Sequence, residues 1–334
     1  SPTATQSDGT LQILTYRGYA EYGGTSPKVN WVGSFEKETG CRIAKLDAVQ
    51  TAEEMATKIK ERPYDLVSAG PVLAADLIEA KQVQAIDPAK VSGYDDLDER
   101  FRDMSTVSGK VYGVPYLWGY HEFIYDSSKV RGSLARAFDS DRLALRDSPL
   151  TIADAALADG AKEPYELTEE GLDSAMALLE GRGERTYWKN PIDLVMGFAT
   201  GSLDYAQATP YHRLLLRNAG RPVKAISTRE TTGWLDSWML RAGVPDTTCA
   251  YRWLNWVTAP DAQRDAAAWV GLAPANDKAC KGRAKQMCEV YGVGDDKRID
   301  RIAFAVRPPG DCRADDGECT DYAAWTERWR ELAE

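Results

Sequence analysis

The chain reads as an α/β protein in which each of two lobes carries a doubly wound mixed sheet with flanking helices. Three observations support this. Its 334 residues exceed what a single core of ordinary size organises, so two lobes are expected. Its composition, 43% hydrophobic and 28% charged, is that of a water-soluble globular protein. Short apolar strands alternate with segments of helical spacing through the first eighty residues, a β-α-β-α rhythm that builds a parallel sheet.

The elements follow in order. Residues 11–16 alternate and then meet Gly18, as a strand entering a loop. Residues 30–39 place Trp31, Val32 and Phe35 at helical spacing and stop at Gly40. Residues 42–46 form a second strand. Residues 51–62 form a helix in which Thr51 and Glu54 make a capping box. Residues 64–68 are a third strand, and Gly70-Pro71 opens a helix running to Ala80. Ligands of such sheets sit at the carboxyl ends of the strands, here residues 16–21 and 68–71. Further on come an aromatic strand at 111–119 broken by proline and glycine, strands at 123–125 and 143–146, and helices at 152–158 and 168–180. A strand at 223–226 leads into the Trp234 segment. Helices at 250–257 and 260–272 follow, and a Trp-rich helix closes the chain at 322–332.

The formal net charge of −10 argues against a nucleic-acid partner and suits a cationic ligand. No run of about 18 apolar residues is present, so no membrane span is expected. There is no G-x-S-x-G elbow, no P-loop and no G-x-G-x-x-G. With two histidines, and carboxylates at no recognisable paired spacing, a binder is favoured over an enzyme. The alternative class is a hydrolase using Asp147, Asp154 or Asp236. No cofactor or metal is expected: no C-x-x-C occurs, and only His121 and His212 could add imidazoles.

Six cysteines allow 15 pairings. Cys280 and Cys288 share one short stretch and Cys312 and Cys319 another, which leaves Cys41 with Cys249. An even count in loops points to disulfides and an exported protein. No leader is visible, so any signal peptide is expected to have been removed. Residues 1–9 are small and polar and read as a flexible tether, of the kind a lipid-anchored surface protein needs.

The segment Gly233-Trp234-Leu235-Asp236 carries the chemistry. In extended chain, Trp234 and Asp236 share a face. A carboxylate beside an indole suits an organic ammonium ion, whose charge pairs with the acid while its carbon chain lies on the ring.

At this point a family resemblance appears. Residues 35–41, 64–67, the Tyr112-Gly113-Val114-Pro115-Tyr116-Leu117-Trp118-Gly119 run, residues 152–157, 233–236 and 249–253 occur in the order seen in the spermidine/putrescine-binding proteins of ABC importers. In finer detail they resemble the YdcS-like branch. The resemblance implies a two-lobed periplasmic binding protein of the Venus-flytrap type. Lobe one would be residues 10–119 plus 237–280, and lobe two 120–236 plus 281–334, with a ligand cleft and hinge closure. It puts Cys41 and Cys249 in the same lobe. It implies a monomer that binds a small-molecule amine and docks on permease subunits, in the periplasm or outside the cell. Its ligand positions fall on Tyr16, Tyr19, Asp147, Ser202, Trp234 and Asp236, with Asp204 and Tyr205 just after the Gly-Ser loop. Arg17 lies in the first ligand loop, where a cation would repel a polyamine or hold a carboxylate. Val72 stands where polyamine binders offer Tyr or Asp. Phe198 is the nearest aromatic before Gly201. These departures keep an ω-amino acid or a quaternary amine open as the solute.

Overall fold

The computed structural model describes residues 9–24, 26–181, 185–245, 247–312 and 318–334; most of the proposed tether lies outside them. The chain packs as two compact units, Ser1–Trp118 with Leu235–Glu289, and Gly119–Trp234 with Val290–Glu334. The boundaries differ from those expected. Leu235 and Asp236 join the first unit, as do residues 281–289. The second shift has a clear cause. The Cys280–Cys288 bridge ties the start of the Lys285–Tyr291 helix to the segment before it. That segment is in turn pinned to the Pro260–Val270 helix by ion pairs Lys281–Asp261 (3.0 Å) and Arg283–Asp265 (2.8 Å).

In the first unit, strand Thr10–Tyr16 pairs in parallel with Arg42–Val49 and with Leu66–Ala69. Helices Val32–Thr39, Ala52–Lys58 and Pro71–Glu79 follow those strands in the expected alternation. Thr231–Arg241 runs antiparallel beside Leu66–Ala69, pairing Ser237 with Ala69 and Leu240 with Leu66, so the sheet is mixed. The core under this sheet is built from Leu14, Val49, Met55, Tyr64, Val67, Leu77 and Met239. Thr51 caps its helix by accepting from the Glu54 amide, and Glu54 reaches back to the Gln50 amide. The helix stops at Lys58, short of the expected Arg62: the chain bends after Ile59 and Pro63 follows. Pro115 is accommodated within a continuous strand, Val114–Tyr120.

The second unit is built on a five-stranded sheet in the order Thr186–Trp188, Leu143–Arg146, Tyr205–Ala208, Glu122–Asp126, Val223–Ala225. Leu143–Arg146 and Tyr205–Ala208 are parallel, and Glu122–Asp126 is antiparallel to its neighbours. Helices Thr151–Ala158 and Glu169–Glu180 cover one face, and the C-terminal helix Tyr322–Ala333 inserts Trp325 and Trp329 into that core. Truncating a buried tryptophan such as Trp325 to alanine costs about 3–5 kcal/mol. The other face holds Trp188, Leu194, Phe198 and Leu216. All three expected disulfide pairs are present, with Cα separations of 5.9 Å for Cys41–Cys249, 5.7 Å for Cys280–Cys288 and 5.1 Å for Cys312–Cys319.

Candidate functional site

In the first unit, the carboxyl end of strand Thr10–Tyr16 turns sharply. The Arg17 amide reaches Val49 O (2.8 Å) and the Tyr19 amide returns to Tyr16 O (3.1 Å). The turn needs Gly18, whose φ is +90°. A Cβ there would also come within 2.5 Å of Val270 Cγ1. This geometry brings Tyr19 under the sheet edge, where its hydroxyl donates to Asp236 Oδ2. Its ring meets Tyr16 edge-on at 5.4 Å, and its carbonyl accepts from the Tyr116 hydroxyl at 2.7 Å. Burial first, and then the Asp236 carboxylate, hold the Tyr19 phenol well above its ordinary pKa, so it stays a donor.

Gly70 lies against the same carboxylate. A Cβ at Gly70 would lie 3.2 Å from Asp236 Oδ1 and 3.9 Å from Tyr16 Oη, so a larger residue would crowd the carboxylate. Gly70 is also the N-cap of helix Pro71–Glu79, whose positive end favours a charged carboxylate beside it. The first unit thus holds a buried acid oriented by a phenol, flanked by tyrosine rings and set against a helix start. Such an acid pairs with an ammonium group. The aromatic packing continues inward from Tyr19 to Tyr116 (5.8 Å), Trp238 (5.7 Å) and Trp253 (5.4 Å).

In the second unit, Trp234 has the His121 ring against it at 4.9 Å, and the Arg146 guanidinium lies 6.0 Å from its ring centre. Thr232 links this group to a second buried acid. Its hydroxyl donates to Asp154 Oδ1 at 2.6 Å, and His121 Nδ1 lies 3.0 Å from the same oxygen of Thr232. Burial pushes the Asp154 carboxyl up to about 6, against the pull of the Thr232 bond and Arg146. Burial first, and then Arg146, hold His121 well below its ordinary pKa.

The other expected positions are distributed differently. Asp147 follows strand Leu143–Arg146, and its carboxylate accepts from Trp329 Nε1 (2.8 Å) with Lys189 Nζ at 3.6 Å. Ser202 and Asp204 lie before the amino end of strand Tyr205–Ala208. The Ser202 hydroxyl donates to Gly197 O at 3.2 Å, and Asp204 pairs with Arg142 Nε at 2.9 Å. Tyr205 stands level with Leu143 in this parallel pair, so Asp204 and Asp147 are about five residues apart along the strands. At 3.3 Å per residue that is about 16 Å, at opposite ends of the sheet. Ser202 and Asp204 therefore make their contacts at the end opposite Asp147. Tyr205 donates to Arg131 O, and Phe198 is core. Arg17 is exposed, apart from its backbone bond. Sequence reasoning had Gly70 only as part of the strand end at 68–71, and missed Tyr116, which acts through the Tyr19 carbonyl. It also missed the His121–Thr232–Asp154 link, although His121 as one of two histidines was a visible signal. Among the described residues no group of three or more His, Cys, Asp or Glu side chains could hold a metal ion. No described helix is long and apolar enough to cross a membrane.

The family described as bacterial extracellular solute-binding protein matches residues 30–287. This chain belongs to that family. It is a solute-binding protein and not an enzyme, which removes the hydrolase alternative. The spermidine/putrescine-binding periplasmic protein of Salmonella typhimurium strain LT2 is 22% identical over 260 residues, covering 72% of each chain. PotD, the spermidine/putrescine transporter substrate-binding protein of Streptococcus pneumoniae strain Canada MDR_19A, superposes with a TM-score of 0.73. It is 14% identical and 97% of each chain is covered. The Atu4243-GABA receptor superposes at 0.70 with 18% identity, covering 96% of this chain and 95% of that one. At such identities the two structures speak for the fold.

Proposed function

We propose that the transported solute is a small organic ammonium compound, putrescine-like or spermidine-like, whose cationic nitrogen pairs with Asp236. The observation that carries this is the buried Asp236 carboxylate, held by the Tyr19 hydroxyl between tyrosine rings and beside the start of helix Pro71–Glu79. A charge-assisted hydrogen bond there contributes roughly 1.5–3 kcal/mol. Cation–π contact adds about 2 kcal/mol where the cation is desolvated. The spermidine/putrescine proteins similar to this chain support the same class. In this reading the loaded protein docks on permease subunits as a monomer, in the periplasm or outside the cell, with a lipid anchor detectable by mass spectrometry of the native chain.

A second reading has a specific observation behind it. The Arg146 guanidinium already stands over the Trp234 ring, which disfavours a second cation on that face and favours a carboxylate near it. An ω-amino acid carries such a carboxylate, and a receptor of the same fold is named for GABA.

A thermal-shift screen of diamines, polyamines, quaternary amines, ω-amino acids, sugars and phosphates tests both. A bound solute at 100 times its dissociation constant stabilises the protein by about 2.7 kcal/mol. Di- or polyamines giving the largest shift support the first reading, and ω-amino acids doing so support the second. Shifts from sugars or anions alone would refute both.

A further inference from the structure

The turn that carries Tyr19 is held from two sides, and both holds come from one frame within the first unit. On one side the Tyr116 hydroxyl donates to Tyr19 O at 2.7 Å. On the other, a Cβ built on Gly18 would lie 3.1 Å from Trp269 Cδ1, 3.5 Å from Trp269 Nε1 and 2.5 Å from Val270 Cγ1. The end of helix Pro260–Val270 therefore packs against the bare Cα of Gly18. That helix is tied to the strand that bears Tyr116. Gly271 ends the helix, Ala273 and Pro274 then pair with Trp118 and Leu117, and the Ala275 amide donates to Tyr116 O at 2.9 Å. Trp118 Nε1 donates to Pro274 O at 3.1 Å. The fully buried Gln263 side chain, on the same helix, donates to Pro115 O (3.3 Å) and accepts from the Asn276 amide (2.8 Å). Within this frame Trp269 stands apart. Trp118, Trp238 and Trp253 of the same unit are at most 1% exposed, whereas Trp269 is 41% exposed, so it adds little to the core. What it does touch is the turn, at a glycine, the residue type that loses most freedom when its backbone is fixed.

We propose that Trp269 is a positioning residue for solute binding: the pyrrole edge of its indole, seated on Gly18, holds the turn that brings the Tyr19 hydroxyl to Asp236. This rests on the reading of Asp236 as the partner of the solute ammonium. Tyr116 holds the carbonyl of Tyr19 and Trp269 holds the residue before it, so the phenol leaves the backbone from a fixed place in a fixed direction. A turn ordered before the solute arrives spares binding the cost of ordering it.

The test is calorimetric titration of the full chain at neutral pH with putrescine and with γ-aminobutyrate, the tighter of the two serving as the probe. Trp269→Ala should weaken binding about tenfold while the melting temperature holds, because preorganisation is lost and core packing is not. Trp269→Phe, which keeps a ring beside Gly18, should recover most of that affinity. In a chain already carrying Tyr19→Phe, adding Trp269→Ala should change affinity by less than about twofold, since the hydroxyl it positions is gone. The solute-free protein gives a second readout. The Tyr19 amide, bonded to Tyr16 O at 3.1 Å, should exchange its hydrogen about tenfold faster in Trp269→Ala, while the amides of strand Tyr205–Ala208 in the second unit keep their rates. An unchanged Tyr19 exchange rate, or an equal loss of affinity with and without the Tyr19 hydroxyl, would overturn the proposal. Failure of the Asp236 reading shows separately, as an Asp236→Ala chain that binds like its parent, and the exchange rates then decide whether Trp269 holds the turn.

Discussion

Asp236 in the first unit and Asp154 in the second are both buried acids, and their surroundings differ. Asp236 in the first unit is 4% exposed and Asp154 in the second is 5% exposed, so burial does not distinguish them. Their partners do. Asp236 takes a phenolic hydrogen and faces the start of a helix, two influences that favour charge. Asp154 sits inside helix Thr151–Ala158, takes one hydroxyl hydrogen, and titrates near neutrality at about 6. The neighbourhoods differ in the same way. Tyrosines, which stay neutral across physiological pH, surround the first acid, whereas both histidines of the chain are buried in the second unit. Burial alone thus does not set an acid's behaviour; the groups around it decide how far burial raises its pKa, as at Asp154.

The largest expected effect tests the first half of this comparison. Asp236→Ala leaves the solute ammonium without its counter-charge, and removing one partner of a buried charged pair costs about 3–5 kcal/mol. Solute affinity measured by calorimetry should fall by two to three orders of magnitude, with little change in melting temperature. Normal binding by this variant would remove Asp236 from the site.

The second half is tested by acid. The His212 imidazole is held down to about 4 by burial, against 6.5 when unfolded. Between those values the unfolded chain binds the proton and the folded chain does not, so stability falls as pH drops from 6.5 to 4, by about 3 kcal/mol at 1.36 kcal/mol per pH unit. His121 acts in the same sense. Asp154 acts in the opposite sense: folded, it takes its proton near 6 rather than 3.8, so acidification through that window favours the fold. His212→Gln keeps the capping bond to the Thr209 amide while removing the titration. Denaturant melts from pH 7 to 4 should flatten for His212→Gln and steepen for Asp154→Asn. Unchanged profiles would mean that the second unit is not the acid-sensitive one.

Tyr19→Phe has a smaller expected effect. It deletes the donor to Asp236 and should weaken solute binding by roughly 1.5–3 kcal/mol, about ten- to a hundredfold. A thermal melt should move little, because the ring contacts remain. Smaller still is Gly18→Ala, which forces a side chain into a left-handed turn against Val270. It should lower stability by about 1–3 kcal/mol and loosen solute binding with it, measured by the same two assays.

Much of this was legible along the chain. The alternation at residues 11–16, the capping pair Thr51 and Glu54, and the Gly40 stop are local signals, and local hydrogen bonding realises them. The two short cysteine loops are local as well. Strand-end chemistry and family resemblance pointed to Tyr16, Tyr19 and Asp236, and the fold brings these three side chains together. What stayed hidden depends on register and distance. Ser202 and Asp204 precede a strand whose parallel pairing with Leu143–Arg146 puts them at the edge opposite Asp147, and no spacing in the sequence shows that pairing. Thr232 and Asp154 are 78 residues apart, and Thr232 and His121 111. Only the folded sheet and its covering helix bring them together.

The bond between Cys41 and Cys249 also sets an order of events. Its partners are 208 residues apart, and the part of the second unit from Gly119 to Trp234 lies between them in the chain. At about 5–20 residues per second of synthesis, Cys41 waits about 10–40 s as a free thiol before its partner exists. During that interval nearly all of the inserted segment has been made, while the first unit still lacks the Trp238 strand and the Trp253 helix. The first unit to begin therefore closes only after that segment has been made, and a disulfide formed early between Cys41 and any other cysteine would trap it unfinished.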